Sequence, residues 1–360
     1  MADTRIPVTL LTGFLGAGKT TLLNTLLWQK EFADAAVFIN EFGEIGVDHL
    51  LVEKIDEDIV VLDSGCICCS MRGDLPKALR KLFSRAQRKD IPIPQRVVLE
   101  TSGISDPAPV IYSLLSDPFI AERFRCDGVV TVVSAAHGLA QIDTHLEALK
   151  QVVMADRLIL SKCDVVEASA LEQRLAVLNP GAPQIRSVRG AIAAQDIIDC
   201  GLYDPAAKMP DVAHWLGEAR LGEKSARTQL SYGKHATAGN VHHAQGVSSF
   251  VITLDPGLYW GEVGTLLDML LQTHGEQLLR IKGLVQVTGE PGPRLVQCVQ
   301  HVRYPSLRLP AWPDEAAYAE RKTRLVVITL KLDQATLEAE IANMRALIKR
   351  HGATPHVPTA

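Results

Sequence analysis

Gly13-Phe-Leu-Gly-Ala-Gly18-Lys19-Thr20 carries the strongest indication of the fold. The apolar run Val8-Thr-Leu-Leu precedes it and Thr21-Leu-Leu-Asn-Thr-Leu-Leu follows it, so the motif lies at a predicted strand-to-helix turn. In that setting glycines let backbone N–H groups turn inward around phosphates, and the helix N-terminus adds a positive partial charge. The pattern therefore predicts a phosphate-binding loop (P-loop) rather than an incidental glycine-rich turn.

The side chains that follow the glycines have distinct predicted roles. Lys19 should reach the β- and γ-phosphates and act in catalysis, and the Thr20 hydroxyl should bind Mg²⁺. The residues expected to contact the nucleotide in this stretch are Gly13, Gly16, Ala17, Gly18, Lys19, Thr20 and Thr21.

Strand-like and helix-like stretches alternate over about the first 200 residues. Several apolar runs are apolar throughout, which is typical of strands buried on both faces of a parallel sheet. The runs are 7–12, 35–40, 59–62, 96–99, 128–133 and 157–160, and helices are expected at 19–28, 74–87 and 168–178. The alternation predicts an α/β fold with the doubly wound, mostly parallel sheet of a P-loop NTPase.

A second pattern begins after a stretch rich in proline, glycine and polar residues. Strand-like runs at 249–254, 284–287, 295–302 and 325–330 are combined with helical stretches at 262–274 and 334–350. This order predicts a smaller α+β domain. We therefore expect a P-loop domain at 1–203, a polar, histidine-containing linker at 204–246, and a C-terminal α+β domain at 247–352.

Glu100-Thr-Ser-Gly103 ends a predicted strand on an acid. Such a carboxylate can hold Mg²⁺ or its water, and the glycine that follows can lie close to a γ-phosphate. We therefore predict that Glu100 acts in catalysis and, with Thr20, in Mg²⁺ binding.

Ser161-Lys162-Cys163-Asp164 follows the last predicted strand and indicates which base is bound. Asp164 can accept hydrogen bonds from guanine N1 and its exocyclic amine, and the stem of Lys162 can lie along the ring. Adenine offers no donor at that edge, so a buried aspartate would be left unpaired. The motif favours GTP over ATP, with Ser161 as a variant of the asparagine that is usual at the first position.

Three thiols lie within four positions in Gly65-Cys66-Ile67-Cys68-Cys69. Cys66 and Cys68, two apart in an expected loop, can turn their sulfurs toward one ion, and thiolates favour Zn²⁺, Co²⁺ or Cu⁺ over Mg²⁺. Buried small side chains or a redox pair are alternatives, but no C-x-x-C of the thioredoxin kind is present. Metal binding is favoured, and the carboxylates of Glu41 and Glu44 after the second strand could complete the coordination.

Other cysteines and histidines give weaker indications. Cys126, Cys163, Cys200 and Cys298 are isolated and are interpreted as packing residues, although Cys163 lies inside the base motif. The linker histidines His235, His242 and His243 could gather metal weakly or simply be solvated.

The composition excludes several classes. A net charge of −4 with interspersed signs gives no reason to expect a nucleic-acid partner. No apolar stretch approaches the length of about 18 residues that suggests a membrane span, and no export signal is recognised. Clustered cysteines without such a signal favour metal chemistry over disulfides, and the cytoplasm is the expected compartment.

Together these motifs resemble the CobW-type metallochaperone GTPases, relatives of the urease and hydrogenase maturation GTPases. The segments that carry the resemblance are Gly13–Thr21, Asn40-Glu-Phe-Gly-Glu44, Gly65–Cys69, Glu100–Gly103 and Ser161–Asp164, and Ser249–Leu332 resembles the C-terminal domain of those proteins, including Arg280-Ile-Lys-Gly283. The resemblance implies GTP hydrolysis and delivery of Zn²⁺ or Co²⁺ to a client metalloprotein or a cobalamin-pathway chelatase. It also implies a nucleotide-dependent homodimer. Slow turnover is expected because no residue is an obvious activating arginine.

The resemblance further implies the metal ligands. Cys66 and Cys68 are the first candidates, with Cys69, Glu41 and Glu44 beside them in sequence or in the neighbouring segment. Two other functions stay open at this point: a metal-responsive GTPase that regulates a partner, and a P-loop kinase that acts on a small molecule. The kinase leaves the cysteine cluster and the Ser161–Asp164 motif unexplained.

Overall fold

The computed structural model describes residues 3–39, 59–61, 67–200, 216, 246–314 and 318–351, and for 59–61, 67–74 and 351 the backbone alone. The chain separates into two compact units, Met1–Ala176 with Ala182–Lys208 and Val177–Gly181 with Met209–Ala360. The predicted linker 204–246 lies outside the described residues except for Leu216 and Gly246. Its boundaries stay predictions.

The first unit contains a parallel sheet. Its strands are β1 (Ile6–Thr12), β2 (Ala35–Ile39), β3 (Ile59–Val61), β4 (Arg96–Glu100), β5 (Phe124–Ser134), β6 (Arg157–Ser161) and β7 (Gln184–Arg186). Within the described residues the order is β3-β2-β4-β1-β5-β6-β7, and every neighbouring pair is parallel. The predicted doubly wound α/β fold is confirmed.

Seven helices accompany these strands in the described part of the chain up to residue 200. They are α1 (Lys19–Leu27), α2 (Ile67–Gln87), α3 (Ala108–Ser116), α4 (Pro118–Arg123), α5 (Gly138–Thr144), α6 (Leu146–Met154) and α7 (Ser169–Leu178). The sheet core is aliphatic, as the fully buried Val8, Leu10, Val97, Val129 and Ile159 illustrate. Burial on both faces explains why these strands read as continuous apolar runs.

Two predicted boundaries were wrong, and one strand was not predicted. Helix α2 begins at Ile67 rather than at residue 74, because no glycine or proline interrupts residues 67–72 and the single Gly73 costs a helix only about 1 kcal/mol. Strand β5 begins at Phe124 rather than at residue 128, since Arg125 and Asp127 interrupt the apolar run yet pair with each other. Strand β7 has one apolar residue between Gln184 and Arg186 and gives no apolar run.

The topology determines where a ligand can bind. Strand β1 is central, with β4 on one side and β5 on the other, so the connections from these strands leave in opposite directions. In open α/β sheets such a point creates a crevice at the carboxyl ends of the strands. The segments after β1, β4 and β6 therefore meet at one edge of the sheet.

The second unit is an antiparallel sheet with helices, as predicted. Its elements are β8 (Val247–Leu254), α8 (Trp260–His274), β9 (Leu278–Val285), β10 (Arg294–Val299), β11 (Val302–Arg303), β12 (Leu307–Arg308), β13 (Thr323–Leu330) and α9 (Gln334–His351). In its described residues the order is β11-β10-β9-β13-β8, with β12 paired to β10. Leu267 of α8 and Ile341 of α9 pack with Ile281 and Val327 in one hydrophobic cluster.

Two predicted strands of this unit were misplaced. Strand β9 runs over Leu278–Val285 instead of 284–287, because Arg280 and Lys282 hide it from a search for apolar runs although both are buried. The predicted run 295–302 is divided into β10 and β11 by a turn in which Gln300 has a left-handed φ of 47°.

A buried ionic cluster lies near the amino end of the parallel sheet. Asp127 is fully buried, and its carboxylate accepts hydrogen bonds from Arg125 at 2.9 Å, Thr9 at 3.2 Å and the backbone N–H of Asp199 at 3.1 Å. Burial raises the pKa of Asp127, while the Arg125 guanidinium lowers it. Removing one partner of such a pair leaves the other charge poorly solvated.

We expect Asp127→Leu to lower the free energy of unfolding by about 3 kcal/mol or more, because it leaves Arg125 with only the exposed Asp199 as an ion-pair partner among the described residues and removes the acceptor of two further donors. Urea denaturation followed by circular dichroism would measure it. The matched control is Glu122→Gln, whose carboxylate is exposed and pairs with Arg123, and which should cost less than about 1 kcal/mol. Equal stability of the two variants would contradict the prediction.

Candidate functional site

The predicted P-loop connects the central strand to a helix. Residues 13–18 join β1 to α1, and Gly18 is the N-cap of α1, with a left-handed φ of 98°. Gly13 has a φ of 142°, and a Cβ atom there would lie 2.3 Å from the carbonyl oxygen of Val132 in β5. A side chain at this position is therefore excluded both by backbone conformation and by space.

Lys19 begins α1 and turns back into the loop. Its ammonium group donates a hydrogen bond to the carbonyl oxygen of Gly13 at 2.9 Å, and the residue is only 9 % exposed. A cation held in a partly desolvated loop interacts more strongly with a phosphate than one in water. The geometry fits the predicted phosphate-binding role of Lys19.

Thr20 and Glu100 lie together, as predicted for a pair that binds Mg²⁺. The Thr20 hydroxyl donates to the Glu100 carboxylate at 2.9 Å across the β1–β4 boundary, and Glu100 is 4 % exposed. A hydroxyl and a carboxylate are hard oxygen ligands, which Mg²⁺ prefers. The residues present therefore fit the ion.

The segment after β4 packs directly on the P-loop. The hydroxyl of Thr101 donates to that of Thr12 at 2.9 Å, and its backbone N–H donates to Leu11 at 3.0 Å. A Cβ atom at Gly103 would lie 2.6 Å from the backbone nitrogen of Leu15. Only glycine permits this close approach between the two loops.

The predicted base-recognition motif is bonded to the P-loop. At the end of β6, the Ser161 hydroxyl donates to the carbonyl of Ala17 at 2.6 Å. The Lys162 ammonium donates to the carbonyl of Gly16 at 2.8 Å. The Asp164 carboxylate is partly exposed, as a group that accepts bonds from a ligand must be. The structure thus brings the two motifs together although about 145 residues separate them.

Cys163 is a packing residue within this motif. Its thiol donates to the carbonyl of Leu160 at 3.2 Å, and burial raises its pKa. Burial likewise raises the pKa of Cys200, and that of Cys298 to about 12. These three thiols therefore stay protonated at neutral pH, and Cys126 is also buried, which agrees with the packing role predicted for all four.

One segment of the site was missed in the sequence. Residues 187–190 follow β7 and lie beside the base motif: the backbone N–H of Ser187 donates to Leu160 at 2.8 Å, and the Arg189 guanidinium lies 4.0 Å from the Asp164 carboxylate. Strand β7 has too few apolar residues to be recognised. A serine and a glycine around Val188-Arg189 were the only indication of a loop there.

The predicted transition-metal ligands cannot be compared with the structure. Glu41, Glu44 and Cys66 lie outside the described residues, and for Cys68 and Cys69 only the backbone is described. That backbone belongs to the first turn of α2, not to a loop as expected. Among the described side chains, no group of three or more His, Cys, Asp or Glu residues could hold a metal ion. The ligand assignments stay predictions.

Comparisons with known proteins agree with this arrangement. The model of the CobW/HypB/UreG nucleotide-binding domain matches residues 7–186, and that of the cobalamin synthesis protein cobW C-terminal domain matches residues 247–345. The zinc chaperone YjiA of Escherichia coli is 35 % identical over 94 % of this chain and 99 % of its own length. The zinc chaperone CobW of a Sinorhizobium species is 30 % identical over 94 % and 96 %.

A solved structure supports the same relationship. The crystal structure of the Zn(II)-bound YjiA GTPase of E. coli superposes with a TM-score of 0.65 and 27 % identity, and the match covers 95 % of this chain and 99 % of that one. No helix in the described residues is long and apolar enough to cross a membrane.

The parallel sheet, the P-loop and the joined base motif define a P-loop GTPase. With both of its domains matched, the chain belongs to the CobW family within the CobW/HypB/UreG group of GTPases.

Proposed function

We propose that this protein is a GTP-dependent metallochaperone. It binds Zn²⁺ or Co²⁺ through the Cys66–Cys69 motif, hydrolyses GTP to GDP and phosphate, and passes the metal to a client protein. The observation that carries the proposal is the topology of the sheet edge. Strands β2 and β3 are parallel neighbours, and their carboxyl ends lead directly into the segments that hold Glu41 with Glu44 and Cys66 with Cys68.

That edge is shared with the nucleotide site. Strand β2 also pairs in parallel with β4, so Ile39 at the end of β2 lies opposite Glu100. The candidate carboxylate ligands therefore follow the strand next to β4, which carries the proposed Mg²⁺ ligand Glu100, and the candidate cysteines follow the next strand outward. Residues in this position can respond to the presence of a γ-phosphate, as switch segments do in other GTPases.

The residues of the P-loop site have separate roles in hydrolysis. Lys19 stabilises charge on the β- and γ-phosphates, and Asp164 and Lys162 hold the guanine. Thr20 and Glu100 would hold Mg²⁺, which neutralises phosphate charge when bound. Gly103 lies next to the P-loop, where its backbone can meet the γ-phosphate. Turnover without a partner is expected to be slow, because the sequence shows no evident activating arginine.

The coupling between metal and nucleotide must be reciprocal. If GTP strengthens metal binding by a certain factor, metal strengthens GTP binding by the same factor. We expect saturating Zn²⁺ or Co²⁺ to lower the Kd of a non-hydrolysable GTP analogue by about fivefold or more, a typical allosteric coupling. Calorimetric titration with and without each metal measures it. An unchanged Kd with both metals would exclude any coupling between metal binding and GTP binding.

A variant connects this coupling to the cysteines. Cys68→Ala should weaken metal binding and abolish the coupling while GDP binding and the unfolding curve stay unchanged. The matched control is Cys126→Ala, which removes a thiol from strand β5, away from the carboxyl edge. Wild-type metal affinity in Cys68→Ala would place the metal elsewhere.

A second function uses the same site differently. The zinc-regulated GTPase metalloprotein activator 1 of Saccharomyces cerevisiae is 26 % identical over 93 % of this chain, and its name describes a GTPase that zinc regulates. A regulator would change its state with metal but transfer none. A stoichiometric transfer assay separates the two, since only a chaperone delivers metal to an apo-client such as a metalloenzyme or a cobalamin-pathway chelatase. Light scattering with GTP or GDP would test the proposed nucleotide-dependent homodimer.

A further inference from the structure

Helices α5 and α6 contact the outer part of the P-loop. The side-chain amide of Gln141 donates to the carbonyl of Leu15 at 3.2 Å. The ring of His145, between the two helices, stacks on Phe14 with centroids 4.6 Å apart and planes inclined by 22°. Both contacts involve the variable positions of the P-loop motif, so the loop sequence alone does not reveal them.

Helix α6 also holds the segment that follows β4. Gln151 is fully buried, and its side-chain amide donates to the carbonyls of Gly103 at 3.2 Å and Ser105 at 3.0 Å. The neighbouring Lys150 forms an ion pair of 2.6 Å with Asp106. Two adjacent residues of α6 therefore fix three points, Gly103, Ser105 and Asp106, of the segment that follows β4 (the Gly103 segment).

Burying a glutamine side chain in a hydrophobic core costs free energy, because its amide loses its hydrogen bonds to water. Its neighbours Ala148, Leu149, Val152 and Val153 are all apolar and buried, and a leucine or methionine of similar size would carry no desolvation cost. The side-chain oxygen of Gln151 has no hydrogen-bond partner among the described residues, so that cost is only partly offset. The two hydrogen bonds to the Gly103 segment explain why an amide side chain occurs at this buried position.

We propose that Gln141, His145, Lys150 and Gln151 form a brace that sets the position of the Gly103 segment against the P-loop, and that Gln151 is a positioning residue for recognition of the γ-phosphate. The inference rests on the proposed function, in which Gly103 meets that phosphate. Glycine has no side chain to anchor it, so the backbone must be held from outside. Because Leu15 packs against Gly103, the brace contacts both sides of the junction where the γ-phosphate would lie.

The ratio of two affinities tests the brace. We measure the Kd of guanosine 5′-(β,γ-imido)triphosphate and of GDP, each with Mg²⁺, for wild type and Gln151→Leu. Loss of two buried hydrogen bonds should raise the Kd of the triphosphate analogue about tenfold, whereas GDP, which lacks the γ-phosphate, should change less than about twofold. The control is Gln297→Leu, which removes a fully buried glutamine from β10 of the second unit and should leave the ratio unchanged.

Further variants keep the test decisive. Lys150→Met removes only the ion pair to Asp106 and replaces Gln151→Leu in the test if that variant does not fold. It should also weaken binding of the triphosphate analogue relative to GDP. A wild-type ratio in both variants, or an equal loss for both nucleotides, overturns the brace. Gly103→Ala should also weaken binding of the triphosphate analogue relative to GDP, because its Cβ would displace Leu15. If it does not, the assignment of Gly103 to the γ-phosphate fails first, and the brace with it.

Discussion

Lys19→Ala is expected to reduce GTP turnover by about a hundredfold to a thousandfold, the effect of removing one preorganised electrostatic group from a transition-state site. The ammonium lies within the P-loop and already bonds to the Gly13 carbonyl, so its position costs no reorganisation during the reaction. Alanine should leave the loop backbone in place but remove the charge proposed to face the transferred phosphate. Phosphate release under single-turnover conditions, with excess protein, would measure it.

The controls for Lys19 separate charge from fold. Lys30→Ala removes an exposed lysine shortly after α1 and should leave the rate unchanged. Lys19→Arg keeps the charge but introduces a planar guanidinium in place of a compact ammonium, and it should also be severely impaired. Wild-type turnover in Lys19→Ala, with a normal unfolding curve, would show that the phosphates bind elsewhere.

Asp164→Asn is expected to exchange the preferred base. In its proposed role the carboxylate accepts from two guanine donors, N1–H and the exocyclic amine, and an asparagine offers one acceptor and one donor instead. Xanthine has a carbonyl where guanine has the amine, so the variant matches XTP. We expect the Kd of GTP to rise about a hundredfold and that of XTP to fall by a similar factor, as for a site in which buried polar groups lose their partners.

The substitution is nearly isosteric, so loss of GTP binding would not reflect misfolding. Fluorescence titration with both nucleotides in wild type, Asp164→Asn and the surface control Asp90→Asn gives the comparison. Unchanged GTP affinity in Asp164→Asn would mean that the base is recognised by other groups, with the loop at 187–190 beside Arg189 as the next candidate.

The parts of the fold that depend on local patterns were predictable. A buried parallel strand has to be apolar along its whole length, so β1, β4 and β6 were recognised, and the glycine spacing of the P-loop needs only its own backbone geometry. Contacts between segments that follow different strands were not predictable, because they depend on the order of the strands in the sheet. Nothing in Ser161-Lys162 indicates that both side chains donate hydrogen bonds to P-loop carbonyls, because a serine and a lysine after a strand can equally well be exposed to solvent.

Polar residues inside the fold were the main source of error. Arg125 with Asp127, and Arg280 with Lys282, occur in strands that a search for apolar runs shortens or misplaces, since such a search cannot know that a charged side chain is buried. Gln151 was not noticed for the same reason: in an amphipathic helix one glutamine is ordinary. Its significance depends on two carbonyls more than 40 residues earlier in the chain.

The hydrogen bonds from Ser161 to Ala17 and from Lys162 to Gly16 connect the proposed base site directly to the P-loop. A nucleotide bound there would contact two segments that are hydrogen-bonded to each other, and its guanine is the same in GTP and GDP. We therefore expect the difference between GTP and GDP to be sensed at the γ-phosphate and passed on by the segments after β2, β3 and β4. Information about metal loading and about hydrolysis would therefore travel along the half of the sheet from β1 to β3, leaving the half from β5 to β7 as a fixed frame.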